Sequence, residues 1–276
     1  MNIPENDFHF VRDLVVARSG IVLEAGKEYL VEARLAPLAR DGGHVTVSGL
    51  VDALRRTPSG PLATSVVEAM TTNETSFFRD AHPFDTLRET IIPTLLERNR
   101  IERSITIWSA ACSSGQEPYT IAMTLREHFP QLATWNVRIV ATDLADHVLT
   151  RARAGRYRQL EVNRGLPAQY LAKYFVRRGL EWEVVPELKS WTDFRALNLI
   201  GEWGPLPRFD VVFLRNVLIY FDADRKKDIL GRARRLLRPD GCLFLGAAET
   251  TLNLDGEFHK VQRGKATWYQ PTPQPL

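Results

Sequence analysis

Two acidic residues stand out by where they fall against the apolar pattern. Glu117 opens a helical stretch just after a β-branched run at 105–107 and a passage of small residues at 109–115. Asp143 closes a second apolar run at 137–142 and follows Gly115 by 28 residues. An acid at that distance beyond a strand-to-helix turn suits hydrogen bonds to ribose hydroxyls. Two hydroxyls on one carboxylate form charge-assisted bonds of about 1.5–3 kcal/mol in favourable cases, so their loss weakens a nucleoside ligand by roughly 10- to 150-fold. Simpler roles stay open at this point. Asp143 also fits an N-cap for the next helix, and Glu117 also suits the positive end of its own helix. Asn198-Leu199 and Arg215-Asn216 end two later apolar runs and complete a row of candidates at strand ends.

The elements that must position these residues alternate from 105 onward. Strands are expected at 105–111, 137–142, up to Asn198-Leu199, at 209–214 and at 242–246. Helices are expected at 116–129, 145–154 and 222–237, the last stopped by Arg238-Pro239-Asp240-Gly241. A hairpin insert covers roughly 174–194, turning at Arg178-Gly179, and a closing hairpin turns at Arg263-Gly264-Lys265. Repeated βα units imply an α/β fold, a doubly wound, mostly parallel sheet with its ligand site at the carboxyl ends of the strands. Residues 1–70 read differently, as a small all-helical domain. Phe8, Val11, Leu14 and Val15 mark one helix, and Tyr29, Leu30 and Ala33 a second that Pro37 is expected to end or kink. Leu50, Val51 and Leu54 mark a third, and a fourth starts at Pro61. Residues 71–100 are read as a linker and helix, 101–270 as the α/β domain, and 271–276 as a disordered proline-rich tail.

Composition sets outer limits. The 276 residues carry a formal charge of +3, too small to argue for nucleic acid, and 44% apolar with 25% charged residues is ordinary for a globular protein. Two distant cysteines fit buried thiols in a reducing compartment. Cys112 in the small-residue turn is read as space-filling. The amino terminus has no apolar signal segment and no run reaches the ~18 residues of a membrane span, so a cytoplasmic protein is expected. Arg232, Arg234, Arg235 and Arg238 are read as a solvated helix face rather than an RNA surface. No metal-ligand cluster and no G-x-S-x-G nucleophile motif appears.

Only Gly115 is present where a dinucleotide loop would show G-x-G-x-x-G. With acids nearby and no phosphate clamp, a nucleoside with a cationic tail fits better, and S-adenosylmethionine has that shape. Four separated motifs sharpen this. Thr71-Thr72-Asn73-Glu74-Thr75-Ser76-Phe77-Phe78-Arg79, Trp108 to Tyr119, Ala141-Thr142-Asp143 and Arg215-Asn216-Val217-Leu218-Ile219-Tyr220-Phe221-Asp222 together resemble the chemotaxis receptor methyltransferases, the CheR family. The resemblance covers nearly the whole chain. It implies a class I methyltransferase sheet and transfer of methyl from S-adenosylmethionine to glutamate side chains on the cytoplasmic helices of chemoreceptors, leaving S-adenosylhomocysteine. By motif match it places Asn73, Thr75, Arg79, Glu117, Asp143, Asn198, Leu199, Arg215 and Asn216 at the cofactor. Arg79 is further expected to orient a carboxylate, and Tyr220 to shape the pocket mouth or else pack on the sheet. The 73–79 run is expected to close over the small-residue turn from the helical domain's side.

Departures from the family concern the partner. Members often carry an arginine cluster on the second helix, where Pro37 and Leu38 stand here beside the remaining Lys27, Arg34 and Arg40. The insert is short, so no dependence on a receptor-tail peptide tether is expected. A monomer at chemoreceptor arrays, without membrane insertion, follows from the resemblance. Two alternatives remain at this point: a methyltransferase of the same fold with another acceptor, and a non-catalytic module that binds the cofactor.

Overall fold

The computed structural model describes residues 3–263 and 266–272, which form two compact units. The first comprises the chain up to Thr72 together with Tyr220–Arg225. Its helices are α1 (Glu5–Ser19), α2 (Glu28–Asp41), α3 (Val47–Arg56) and α4 (Pro61–Ala69). Each end has a local cause. Gly20, at φ 76°, closes α1 by donating its N–H to the Val16 carbonyl. Thr46 caps α3, its Oγ1 accepting the Gly49 N–H at 3.1 Å. Phe8, Val11, Val31, Leu35, Leu50, Leu54 and Val66 pack into one core. Pro37 neither ends nor bounds α2, which runs on to Asp41 because Leu35 and Ala39 on either side are buried in that core.

The second unit comprises Asn73–Ile219 and the chain from Lys226. It opens with α5 (His82–Thr86), a π-helical turn at Leu87–Ile91 and α6 (Ile92–Arg98). Pro93 follows the π turn and has no N–H for the carbonyl four residues back, a usual setting for such a widening. Then come β1 (Ser104–Ala110), α7 (Gln116–His128), β2 (Asn136–Asp143) and α8 (Asp146–Ala154). A smaller section follows with β3 (Arg156–Arg158), α9 (Gln159–Asn163), α10 (Ala168–Tyr174), β4 (Phe175–Arg178), β5 (Glu181–Val184) and α11 (Pro186–Lys189). The chain ends with β6 (Thr192–Ala196), β7 (Phe209–Leu214), α12 (Ala223–Leu236), β8 (Leu237–Leu245), β9 (Phe258–Arg263) and β10 (Ala266–Pro271).

The main sheet has the order β6-β2-β1-β7-β8-β10-β9. Its first five strands are parallel, and β10 is antiparallel to both β8 and β9. Chain order reverses between β1 and β7, whose last residues Ala110 and Leu214 are register partners. That switch point is where a doubly wound sheet opens a crevice at its carboxyl edge. β7 is buried along its whole length, as its unbroken apolar run requires.

Four details depart from the sequence expectation. β6 ends at Ala196, two residues before Asn198, and its last ladder bond runs from the Leu197 N–H to the Asp143 carbonyl at 2.8 Å. Residues 238–241 do not separate helix from strand: they form an irregularity inside β8, whose register with β7 jumps from Phe209↔Leu237 to Val211↔Cys242. The insert is larger than a hairpin, since β3 joins β5 and β4 in a three-stranded antiparallel sheet. Of the expected tail, Pro271 completes β10 and the Thr272 N–H donates to the Glu257 carbonyl, while residues 273–276 lie outside the described residues. So do Gly264 and Lys265 of the closing turn. Among the described residues no helix is long and apolar enough to cross a membrane.

Candidate functional site

Backbone conformation singles out one region of the α/β unit. Seven non-glycine residues among those described have positive φ, and five of them are Phe78, Asp80, Ala111, Ser113 and Asn216. Such conformations cost about 1–3 kcal/mol each and persist where surrounding structure enforces them, commonly at ligand sites. Ala111, Ser113 and Gly115 (φ 93°) alternate through the turn between β1 and α7. A side chain at Gly115 would meet Ala152 Cβ at 2.9 Å, so the turn packs tightly onto α8.

Asp143 ends β2 and is almost wholly buried. Its Oδ2 accepts the Ser113 N–H at 2.8 Å and its Oδ1 the Ala145 N–H at 3.0 Å. Asp143 is not the N-cap of α8: that position is Ala145, and no side chain caps the helix. Oδ1 instead closes a short turn onto the Ala145 N–H ahead of the helix, and Oδ2 fixes the turn between β1 and α7. The Leu144 N–H also acts on this carboxylate. A carboxylate offers about four acceptor positions, so acceptor capacity remains beyond these backbone groups. Burial raises its pKa above the usual 3.8, against the lowering effect of those backbone bonds.

Glu117 and Arg215 form the second element of the site. Glu117 Oε1 accepts the Ser109 hydroxyl at 2.7 Å, and its Oε2 accepts Arg215 Nη1 at 2.9 Å. Arg215 Nη2 donates to the Arg79 carbonyl at 2.8 Å and to Asp80 Oδ2 at 3.0 Å. Its guanidinium carbon lies 5.5 Å from the centre of the Phe84 ring. The Arg215 side chain is 2% exposed, and its Nε is buried with no hydrogen-bond partner among the described residues. A buried cationic donor left open is a place for an acceptor from outside the chain.

The 73–80 run belongs to this unit. Ser113 Oγ donates to the Asn73 carbonyl at 2.8 Å, tying the run to the turn. Asn73, Glu74 and Thr75 line a cleft of about 340 Å³ with Ser114, Gln116 and Arg151. Phe77 is fully buried, edge-on to Tyr157 and Phe175, and the Phe78 N–H donates to Thr120 Oγ1. Arg79 is anchored through Nη1 to the Glu74 carbonyl at 2.9 Å. The phenylalanines thus fix the run while its polar side chains stay at the cleft.

Asn198 and Leu199 follow β6 beside Asp143. Asn198 Oδ1 accepts the Ile200 N–H at 3.2 Å, and Leu199 is 7% exposed. Their loop is held by Arg232, which donates to the carbonyls of Leu199 and Gly201 and lies 4.1 Å from the centre of the Trp203 ring. Trp203 in turn rests on Trp108 of β1. Arg232 is therefore not part of a solvated face, and Arg234, paired with Asp255 at 3.0 Å, is not either. Cys112 is buried against Ala141 and Leu149, and burial raises its thiol pKa well above the ordinary range.

Asn73, Thr75, Arg79, Glu117, Asp143, Asn198, Leu199, Arg215 and Asn216 all fall in the α/β unit. Tyr220 does not. It falls with the helical unit, where its carbonyl accepts the Val22 N–H at 2.9 Å. Arg34 is also engaged, donating to the Met70 carbonyl at 2.6 Å and to Thr72 Oγ1 at 2.9 Å. Sequence patterning missed Glu249, which follows β8 and binds the backbone of the Asn216 loop; an isolated acid in a turn leaves no periodic signal.

Residues 73–267 match the family described as CheR methyltransferase, SAM binding domain, and residues 6–71 match CheR methyltransferase, all-alpha domain. Chemotaxis protein methyltransferase 1 of Pseudomonas aeruginosa is 45% identical over 267 residues, 95% of this chain and 96% of that protein. Chemotaxis protein methyltransferase Cher2 of Pseudomonas putida is 42% identical, covering 96% of this chain and 97% of its own length. Chemotaxis protein methyltransferase 1 of Vibrio cholerae is 38% identical, covering 95% of each chain. Both matched regions coincide closely with the two structural units, and the site of buried acids and an open arginine lies in the cofactor-binding one. The chain belongs to the CheR family and is a chemotaxis methyltransferase that uses S-adenosylmethionine.

Proposed function

We propose that this protein methylates glutamate side chains on the cytoplasmic helices of chemoreceptors, giving methyl esters and adjusting chemotactic signalling. The observation that carries this reading is the agreement of the CheR matches across both units with the acid set at the switch point. Bound S-adenosylmethionine supplies a methyl group activated by a sulfonium centre. Asp143 keeps acceptor capacity for a ribose diol beyond the backbone N–H groups of Ser113, Leu144 and Ala145. Arg215 Nε offers a donor, and the Arg79 guanidinium orients a carboxylate, of the cofactor or of the incoming glutamate. Asn73, Thr75, Asn198, Leu199 and Asn216 complete the lining.

The acceptor needs little activation. A free glutamate has a pKa of about 4.3 and is ionised at neutral pH. Water that solvates a carboxylate and a sulfonium opposes their approach, so the site's work is to exclude water and hold the reactants in line. This assigns no general base. The protein acts as a cytoplasmic monomer at receptor arrays. It does not depend on a receptor-tail tether: β4 is a four-residue edge ending in Arg177 and Arg178, a poor template for strand addition. Micromolar binding of a tail peptide in calorimetry would contradict that.

The test of the acceptor is mass spectrometry of receptor peptides after incubation with the protein and cofactor. A base-removable methyl on glutamate supports the reading. A base-stable methyl on any other side chain overturns it.

A further inference from the structure

Glu249 lies in the turn after β8 and accepts five backbone N–H groups. Oε2 takes those of Gly246 at 2.7 Å and Asn216 at 2.8 Å. Oε1 takes those of Val217 at 2.9 Å, Leu218 at 2.7 Å and Ile219 at 3.3 Å. Four of these donors are consecutive and follow Arg215 directly. Successive N–H groups converging on one point make an anion-binding concavity, and here the chain's own carboxylate fills it. The loop it holds is strained, with Asn216 at φ 57°. Gly246 packs against both partners: a Cβ there would stand 2.6 Å from Asn216 Nδ2 and 2.7 Å from Glu249 Oε2. Glu249 also lines a cavity of about 250 Å³ together with Asp80, His82, Arg215 and Lys260.

We propose that Glu249 is a positioning residue of the methyltransferase site, fixing the 215–219 loop so that Arg215 and Asn216 meet the cofactor. The inference rests on the reading that places those two residues at the cofactor. The requirement is for a carboxylate and not for a side chain of that size. Ionised glutamate is acceptor-only, whereas glutamine turns an NH₂ donor toward a set of N–H donors. Glu249→Gln should therefore be as harmful as Glu249→Ala, an order that a packing role would not produce.

The full chain is compared with Glu249→Gln and Glu249→Ala by calorimetry with S-adenosylhomocysteine and by amide hydrogen exchange. Both variants should bind about tenfold or more weakly, the loss of charge-assisted bonds that order the loop. Amides 216–219 should lose protection while those of β1 and β7 keep theirs. Formate, a small carboxylate with access through the adjoining cavity, should restore affinity to Glu249→Ala and not to Glu249→Gln. Affinity of Glu249→Gln within twofold of the parent overturns the inference, as does unchanged exchange at 216–219. Asn216→Ala and Arg215→Lys separate the two layers. If neither weakens binding, the placement of the loop at the cofactor is at fault and the inference falls with it. If they weaken binding and the Glu249 variants do not, only the inference fails. Should the Glu249 variants not fold, Gly246→Ala serves, since it crowds the carboxylate without removing its charge. It should weaken binding likewise, and unaltered affinity counts against the proposal.

Discussion

Arg215 reaches across 98 residues of sequence to Glu117, its Nη1 lying 2.9 Å from Oε2 with the arginine side chain 2% exposed. The pair joins the carboxyl end of β7 to the first turn of α7, the two sides of the sheet's switch point. Asp80 and the Arg79 carbonyl occupy the other guanidinium nitrogen, so one buried cation links three segments.

Removing that cation should therefore be costly. Breaking a fully buried ion pair costs about 3–5 kcal/mol. Here Asp80 is 44% exposed and regains water, so Arg215→Ala should destabilise by about 2–3 kcal/mol, below the fully buried case. Urea unfolding measures this, and a loss under 1 kcal/mol would mean the pair is not a significant structural link.

Asp143 makes a prediction about pH. Burial raises its folded-state pKa above 3.8, so the folded protein holds a proton that the unfolded chain has released. Its contribution to stability is full below 3.8 and is lost as pH rises through the raised folded value; above it, the buried charge is a net cost. The parent should thus gain stability relative to Asp143→Asn as pH falls from 7 toward 4. Unfolding curves at several pH values read this difference directly, and a difference that moves the other way would sink the account. The same substitution should weaken S-adenosylhomocysteine roughly 10- to 150-fold at neutral pH, through its lost hydroxyl bonds.

How much of this was legible beforehand depended on the range of the interaction. Asp143 and Glu117 could be singled out because each follows an apolar strand pattern, a signal carried within some ten residues. As a helix stop Pro37 misled, because its local penalty is outweighed by the burial of Leu35 and Ala39. Residues 238–241 misled because Pro-Asp-Gly marks a turn equally well at a helix end or inside a strand irregularity. The roles of Arg232 and Glu249 depend on partners about 30 residues away that no periodicity reports. Asn73 to Arg79 was singled out by resemblance. Composition alone would have left it a linker, because its tie to the turn through Ser113 spans 40 residues of sequence.

Cys112 lies in the turn between β1 and α7. Its thiol is buried and its pKa is pushed well above the ordinary range, so it is a poor nucleophile at neutral pH. Cys112→Ala should keep methyl transfer within about threefold of the parent, since it removes only a small buried atom. Loss of activity with S-adenosylhomocysteine affinity intact would give the thiol a part in chemistry.

The central claim is transfer to a carboxylate. Protein, tritiated S-adenosylmethionine and receptor-bearing membranes are incubated together, and the washed membranes are then treated with base. A carboxyl methyl ester releases its label as volatile methanol, so volatile counts that depend on both protein and receptor are the expected result. Counts that stay bound through base treatment would mean another acceptor, and no transfer at all would mean a cofactor-binding module without this activity.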